Sequence, residues 1–289
     1  MTPLAIFIAV WAGVFGLAIG SFLNVVAYRV PAGIPLTRES RCPGCDAPIA
    51  WWRNVPVVGW LALRGRCADC RMPISIRYPF IELTTGVLFA AVAVGLALTG
   101  TAATPRFWGV LAILEVFAAL SVVLTLIDLD VKRLPNAIVL PGWAAVVVLM
   151  LVTTLVSGAG PSTGSGTQAL SSGAAGLDWW PLLRALIGGA ALFLLYDIVR
   201  WISPRGMGGG DVKLAGLVGT VLGWFGWGAL VVGAFAAFAL GGVFGIALII
   251  AGRAKRSSGI PFGPWMLAGA WVGILVGERV GEWYAGFLG

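Results

Sequence analysis

Eight runs of roughly twenty mostly apolar residues recur along the chain, and nothing else in the sequence limits its fold so strongly. They cover about 3–27, 80–100, 107–127, 134–156, 181–201, 212–230, 231–252 and 261–281, with the sixth and seventh divided mainly by the glycines around Gly226 to Gly233. A helix of about 20 residues crosses the hydrocarbon core of a bilayer. Backbone groups in lipid cannot stay unpaired, so each run is expected to be helical. The expected fold is an all-α polytopic membrane protein with about eight transmembrane helices. Only 11% of the residues are charged, against about 25% in a soluble domain. No basic segment precedes the first run, which reads as a retained span rather than a signal peptide. Small residues, as in "GAFAAFALGGVFG" (233–245), let such helices approach closely.

The positive charges divide the connections into two classes. Sixteen of the 19 Lys and Arg residues fall in four connections: 28–79, the turn at Lys132 and Arg133, the segment holding Arg200, Arg205 and Lys213, and the segment with Arg253, Lys255 and Arg256. Only Arg106, Arg184 and Arg279 fall elsewhere. Alternating basic connections imply that these four face the cytosol and that both termini face outward. The net charge of +7 is thereby accounted for by the lipid bilayer, and no nucleic-acid partner is expected. Three regions follow: a first span over 1–27, a cytosolic loop domain over 28–79, and a membrane core over 80–289. Within that core the Gly/Ser/Ala-rich stretch 157–176 reads as a flexible outside linker. No internal repeat is evident.

All four cysteines lie in the first basic loop, as "CPGC" (Cys42, Cys45) and "CADC" (Cys67, Cys70). Two Cys-x-x-Cys knuckles suit a tetrahedral zinc ion held by four thiolates. A loop of this size has little else to fold around, and metal binding would supply that free energy. Redox dithiols are the competing reading, although a cytosolic position disfavours stable disulfides. Four thiolates leave no open coordination position, so the zinc is expected to be structural.

The chain contains no histidine, which excludes Ser-His-Asp triads, Cys-His pairs and HExxH metalloprotease sites. Of the 12 acidic residues, Glu82, Glu115, Asp128, Asp130, Asp197 and Asp211 fall in or beside the apolar runs, where a charge is costly and usually functional or paired. Asp128, in "LIDLD", and Asp211, in "GMGGGDVKL", sit at matching expected depth. Two adjacent carboxylates can share a proton, one acting as acid and the other as base toward water. Gly208, Gly209 and Gly210 leave room for an extended substrate beside Asp211. Taken alone, an Asp at a helix start such as Asp211 is more often an N-cap than a catalyst. Glu115 and Asp197 read as structural.

Several stretches now coincide: "GSFLNVVAYRVP" (20–31), the cysteine quartet, "ISIRYPFIE" (74–82), "LIDLD" to "LPN" (126–136), "GMGGGDVKL" (206–214) and "IPFGP" (260–264). In this order they resemble the bifunctional type IV prepilin leader peptidases/N-methyltransferases, which belong to the GxGD aspartyl intramembrane proteases. The resemblance implies an enzyme of the bacterial inner membrane, serving type IV pili or type II secretion. Its active site would face the cytosol and cut the basic leader from prepilins or pseudopilins. It would then N-methylate the new terminus with S-adenosylmethionine as methyl donor. The resemblance assigns catalysis to Asp128 and Asp211, with Gly208, Gly209, Gly210, Lys213 and Asp130 as supporting residues. The cysteines match a zinc-binding loop. Many relatives carry Asp where this chain has Asn136. Glu82 is a candidate support for methyl transfer, or alternatively an ion-pair partner of Arg77.

Two other functions fit parts of the pattern. A transporter or proton-coupled channel would relay protons through its intramembrane carboxylates, but no inverted repeat accompanies them. A membrane thiol oxidoreductase would use the cysteine pairs, usually on the oxidising side of the membrane.

Overall fold

Threonine followed by proline marks the start of two long helices. The Thr2 hydroxyl accepts the N–H of Ala5 at 3.2 Å, and Thr104 accepts that of Phe107 at 3.1 Å. Each satisfies an otherwise orphaned donor, and the following proline fits the first helical position. The computed structural model describes residues 2–99, 104–157, 178–203, 207–252 and 261–288. Its helices are α1 (Pro3–Arg29), the short α2 (Val58–Ala62), α3 (Arg77–Ala97), α4 (Pro105–Val131), α5 (Asn136–Ser157), α6 (Trp180–Ile202), α7 (Gly209–Phe225), α8 (Trp227–Ile250) and α9 (Gly263–Leu288). The linker expected at 157–176 lies, beyond Ser157, outside the described residues, as do Arg205, Arg253, Lys255 and Arg256.

Among the described residues eight helices are long, but six of them (α1, α3, α4, α5, α6 and α8) combine the length and apolarity needed to span a bilayer alone. The difference from the expected eight has a physical reason. At 17 residues α7 is short, and Leu214 through Trp224 are all buried, as is Val212. A helix enclosed on every side meets protein rather than lipid and need not match the bilayer's thickness. Helix α9 carries Glu278, Arg279 and Glu282 near its end. The expected division between the sixth and seventh runs also moves: α7 stops at Phe225 and α8 starts at Trp227, with Gly226 between them. A Cβ at Gly226 would overlap the Glu278 carboxylate, which accepts the N–H of Ala229 at 3.1 Å. Glu278 therefore braces the start of α8.

Helix α4 is the wall shared by two apolar cores. On one side Ile8, Phe89, Phe107 and Leu111 join α1, α3 and α4. On the other, Phe117, Leu124, Met150, Leu217 and Trp224 join α4, α5 and α7. Small residues bring the axes together: Gly188 of α6 and Gly219 of α7 face each other so closely that a Cβ at Gly188 would stand 2.6 Å from the Gly219 carbonyl oxygen. Outward-facing side chains such as Phe7, Trp11 and Phe235 are large and apolar, as lipid contact requires.

Candidate active site and metal centre

Asp128 lies in the last turn of α4, with 4% of its surface exposed. Helix α4 runs past it to Val131 and stops where Lys132 takes a left-handed conformation, φ 52°. Asp211 is in the first turn of α7. The two carboxylates are within electrostatic reach of each other. Each has one oxygen tied to a glycine N–H: Asp128 Oδ2 accepts from Gly263 at 3.0 Å, and Asp211 Oδ2 from Gly208 at 3.1 Å. Gly208 is therefore the N-cap of α7, and Asp211, at the third helical position, reaches back to the cap N–H rather than being the N-cap itself. This bond leaves the second oxygen of that carboxylate without a hydrogen bond among the described residues.

The surrounding elements hold this geometry. The turn between α4 and α5 packs against the glycine run, since a Cβ at Gly210 would stand 2.9 Å from Leu134 Cβ. Lys213 donates to Asn136 Oδ1 at 2.7 Å. Gly263 opens α9, and a Cβ there would lie 2.8 Å from Asp128 Oδ2. Beneath it Phe262, Phe238 and Tyr196 pack ring against ring, with centroids 5.5 to 6.2 Å apart. Tyr196 is also within electrostatic reach of Asp211. Helices α4 to α9 thus all contribute to the surroundings of the carboxylates.

Asp130 is engaged elsewhere. It accepts two hydrogen bonds from the Arg77 guanidinium, at 2.9 and 2.6 Å. The alternative pairing of Arg77 with Glu82 is therefore replaced. Glu82, on α3, is buried and takes the N–H of Val57 at 2.7 Å, so it anchors the cysteine loop to the membrane helices. Glu115 is half-buried in α4, and Asp197 is exposed on α6.

The four thiols gather at one point. Their sulfurs all lie within 4.8 Å of one another, and Cys42 Sγ is 3.7 Å from Cys70 Sγ. Zn–S bonds of about 2.3 Å in a tetrahedron place the sulfurs about 3.8 Å apart, so the donor set fits a zinc ion. Backbone N–H groups of Cys70 and Asp69 lower the Cys67 thiol to about 7. At Cys45 the Ala47 N–H acts in the same direction. Desolvation and the three other thiols outweigh it and push the group up to about 12. Thiols this close titrate as a group, and a metal bound among them displaces their protons.

Sequence reading missed three features. The two knuckles are copies: "SRCPGCDAPI" (40–49) and "GRCADCRMPI" (65–74) align position for position. Cys42 N–H bonds the Ala47 carbonyl at 2.9 Å and Cys67 N–H that of Met72 at 2.8 Å. Bridges join Arg41 to Pro48 and Arg66 to Pro73, and the residues after the second cysteines, Asp46 and Arg71, have φ 55° and 63°. The shared R-C-x-x-C-x-x-P-I spacing was the available signal, and it corrects the expectation of no internal repeat. Second, Gly263 stands in the quoted "IPFGP" stretch without a role having been drawn from it. Third, buried Arg29 reaches from the end of α1 to the carbonyls of Leu36, at 2.9 Å, and of Arg38, fastening the start of the loop.

The geometry can be set beside known proteins. Residues 14–96 match the bacterial peptidase A24 N-terminal domain, and residues 115–246 match the type IV leader peptidase family. The chain is similar to the prepilin leader peptidase/N-methyltransferase of Aeromonas hydrophila, 34% identical, covering 93% of this chain and 91% of that one. The protein of the same name from Neisseria gonorrhoeae is 35% identical, covering 90% and 88%. That of Pseudomonas aeruginosa is 30% identical, covering 95% and 92%. No solved structure matches the chain.

Proposed function

The chain belongs to the type IV leader peptidase family, and from that footing we propose that it cleaves the leader of type IV prepilins or pseudopilins with Asp128 and Asp211 and then N-methylates the new terminus. The observation that carries this reading is that Asp128 and Asp211, from the end of α4 and the start of α7, come within electrostatic reach in a chain without histidine. One carboxylate, ionised, takes a proton from water as the water oxygen bonds to the scissile carbonyl carbon. The other, protonated, gives its proton to the departing nitrogen. Each carboxylate's glycine hydrogen bond fixes one oxygen and leaves the other for these transfers. Proton sharing between close acids is the physical basis of the division.

The positive-inside pattern supports a cytosolic position for this site in the bacterial inner membrane. The leader junction would meet the carboxylates at the start of α7, while the substrate's apolar helix stays in lipid; the space beside Gly209 and Gly210 is taken by Arg200 and Leu134 rather than left for substrate. Cys42, Cys45, Cys67 and Cys70 would hold a structural zinc ion, which supplies cross-linking of the two knuckles when bound. The methyl donor would be S-adenosylmethionine. The three-region organisation proposed from sequence, with a loop domain at 28–79, agrees with this division of labour.

Incubating the purified protein with a prepilin, and reading the substrate's N-terminus by mass spectrometry, tests both steps at once. The wild type should yield a shortened, methylated terminus. Asp128→Asn and Asp211→Asn should each leave the leader attached. Full cleavage by either folded variant would sink the carboxylate mechanism.

A further inference from the structure

Between the cysteine loop and helices α1 and α3 lies a cavity of about 690 Å³, within the roughly 300–1,000 Å³ of small-molecule sites. Its lining includes Ser21, Asn24 and Tyr28 of α1, Arg38 of the loop, and Tyr78 and Glu82 of α3. Glu82 is 7% exposed, and its Oε2 is taken by the Val57 N–H. Its Oε1 has no hydrogen bond among the described residues. Asn24 spends its amide donor on the Tyr78 carbonyl at 3.3 Å, leaving its own carbonyl as an acceptor. The cavity wall thus carries a carboxylate oxygen and an amide oxygen that are open to a cation or a hydrogen-bond donor. Arg38 supplies positive charge to the same space, and Tyr28 and Tyr78 supply aromatic faces.

We propose that this cavity is the S-adenosylmethionine site, with Glu82 as its anionic anchor. The inference rests on the methyltransferase reading above and gives it a place. The ligand's sulfonium and hydroxyls match the Glu82 and Asn24 acceptors, its carboxylate matches Arg38, and its adenine matches the tyrosine faces. Position supports the assignment independently. Arg77, one residue before Tyr78, holds Asp130, two residues beyond Asp128, through the paired hydrogen bonds already described. This ion pair joins the helix that borders the cavity to the helix that carries Asp128. Methyl transfer in the cavity forms an N–C bond from the lone pair of the new terminal amine. The C–S pair returns to sulfur as a neutral thioether, and the surplus ammonium proton passes to water.

The test is ultraviolet crosslinking of methyl-labelled S-adenosylmethionine to the full chain in nanodiscs, with peptide mapping, alongside equilibrium binding. Labelled peptides from 21–28 or 76–82 are expected. Glu82→Gln, which keeps shape and an acceptor for Val57, should bind about tenfold more weakly. Ser21→Phe, which puts a ring into the cavity, should weaken binding as well. Crosslinks confined to α4–α9, or unchanged affinity in Glu82→Gln, would overturn this placement and leave the methyltransferase reading standing. A wild-type protein that binds none of the compound at millimolar concentration would overturn both. The wild-type crosslink map needs no variant, so a misfolded substitution does not stall the test.

Discussion

Gly263 donates its backbone N–H to the Asp128 carboxylate at 3.0 Å, joining the first turn of α9 to the last turn of α4 across 135 residues of chain. Nothing but a glycine leaves that carboxylate where it is, since a Cβ at 263 would stand 2.8 Å from its Oδ2. Gly263→Ala must push the Asp128 side chain aside. A displacement on this scale at a reacting group costs up to about 100-fold in rate. We expect leader cleavage to fall by about 10- to 100-fold while the melting temperature changes little. Wild-type kcat in this variant would show that the contact does not position Asp128.

The neighbouring acids should separate cleanly. Asp130 is engaged by Arg77 at the surface, with 42% and 46% side-chain exposure. An exposed ion pair contributes about 0–1 kcal/mol, so Asp130→Asn and Arg77→Gln should each lower stability by no more than that. Cleavage should stay within about tenfold of wild type in both, because neither touches the bond being cut. Denaturant melts and single-turnover cleavage check the two halves of this expectation. A Asp130→Asn enzyme as inactive as Asp128→Asn would move Asp130 into the chemistry.

What was legible in the sequence was set by local rules. Apolar runs mark helices because lipid leaves the backbone no other partner, and α1, α3, α5 and α6 fall within three residues of their expected bounds at each end. The cysteine quartet was legible because metal ligation imposes short spacing. What stayed hidden depends on contacts between distant segments. No local signal says that Gly226 meets Glu278, that Gly263 meets Asp128, or that Arg77 chooses Asp130 over the nearer Glu82. The burial of α7 is likewise a property of its neighbours, and it explains why one apolar run is too short to span alone. The paired knuckles were readable in principle. Their likeness lies in ten positions, of which "R", both cysteines, "P" and "I" coincide.

Asn136 offers a gain-of-stability test. Lys213 Nζ already sits 2.7 Å from its Oδ1. Asn136→Asp converts a charge–dipole contact into an ion pair with no change of shape, and the site is exposed. The expected gain is about 0.2–1 kcal/mol, shrinking as salt is raised. Cleavage should persist. Thermal melts at low and high ionic strength measure the difference, and a salt-independent or negative shift would mean that the lysine does not stay paired.

Removing zinc should unfold the loop and spare the membrane core. Between Val30 and Ile76 the one buried apolar side chain is Cys42. The same stretch carries only the short α2, a single 3₁₀ turn and two isolated bridges. A segment with so little apolar core would draw folding free energy from a metal bound at the four cysteines. The core built on α4 buries Phe117, Leu124 and Trp224 without any help from the loop. Chelation, or Cys42→Ser with Cys67→Ser, should release about one zinc per chain, consistent with a four-thiolate site. Limited proteolysis should then cut between residues 30 and 76 and leave α4–α9 intact. Methylation should fail before cleavage does, because Glu82 is tied to the loop through Val57, whereas Asp128 and Asp211 are held by Gly263 and Gly208. If both activities disappear together on metal removal while α4–α9 remain protease-resistant, the loop takes part in peptide hydrolysis as well.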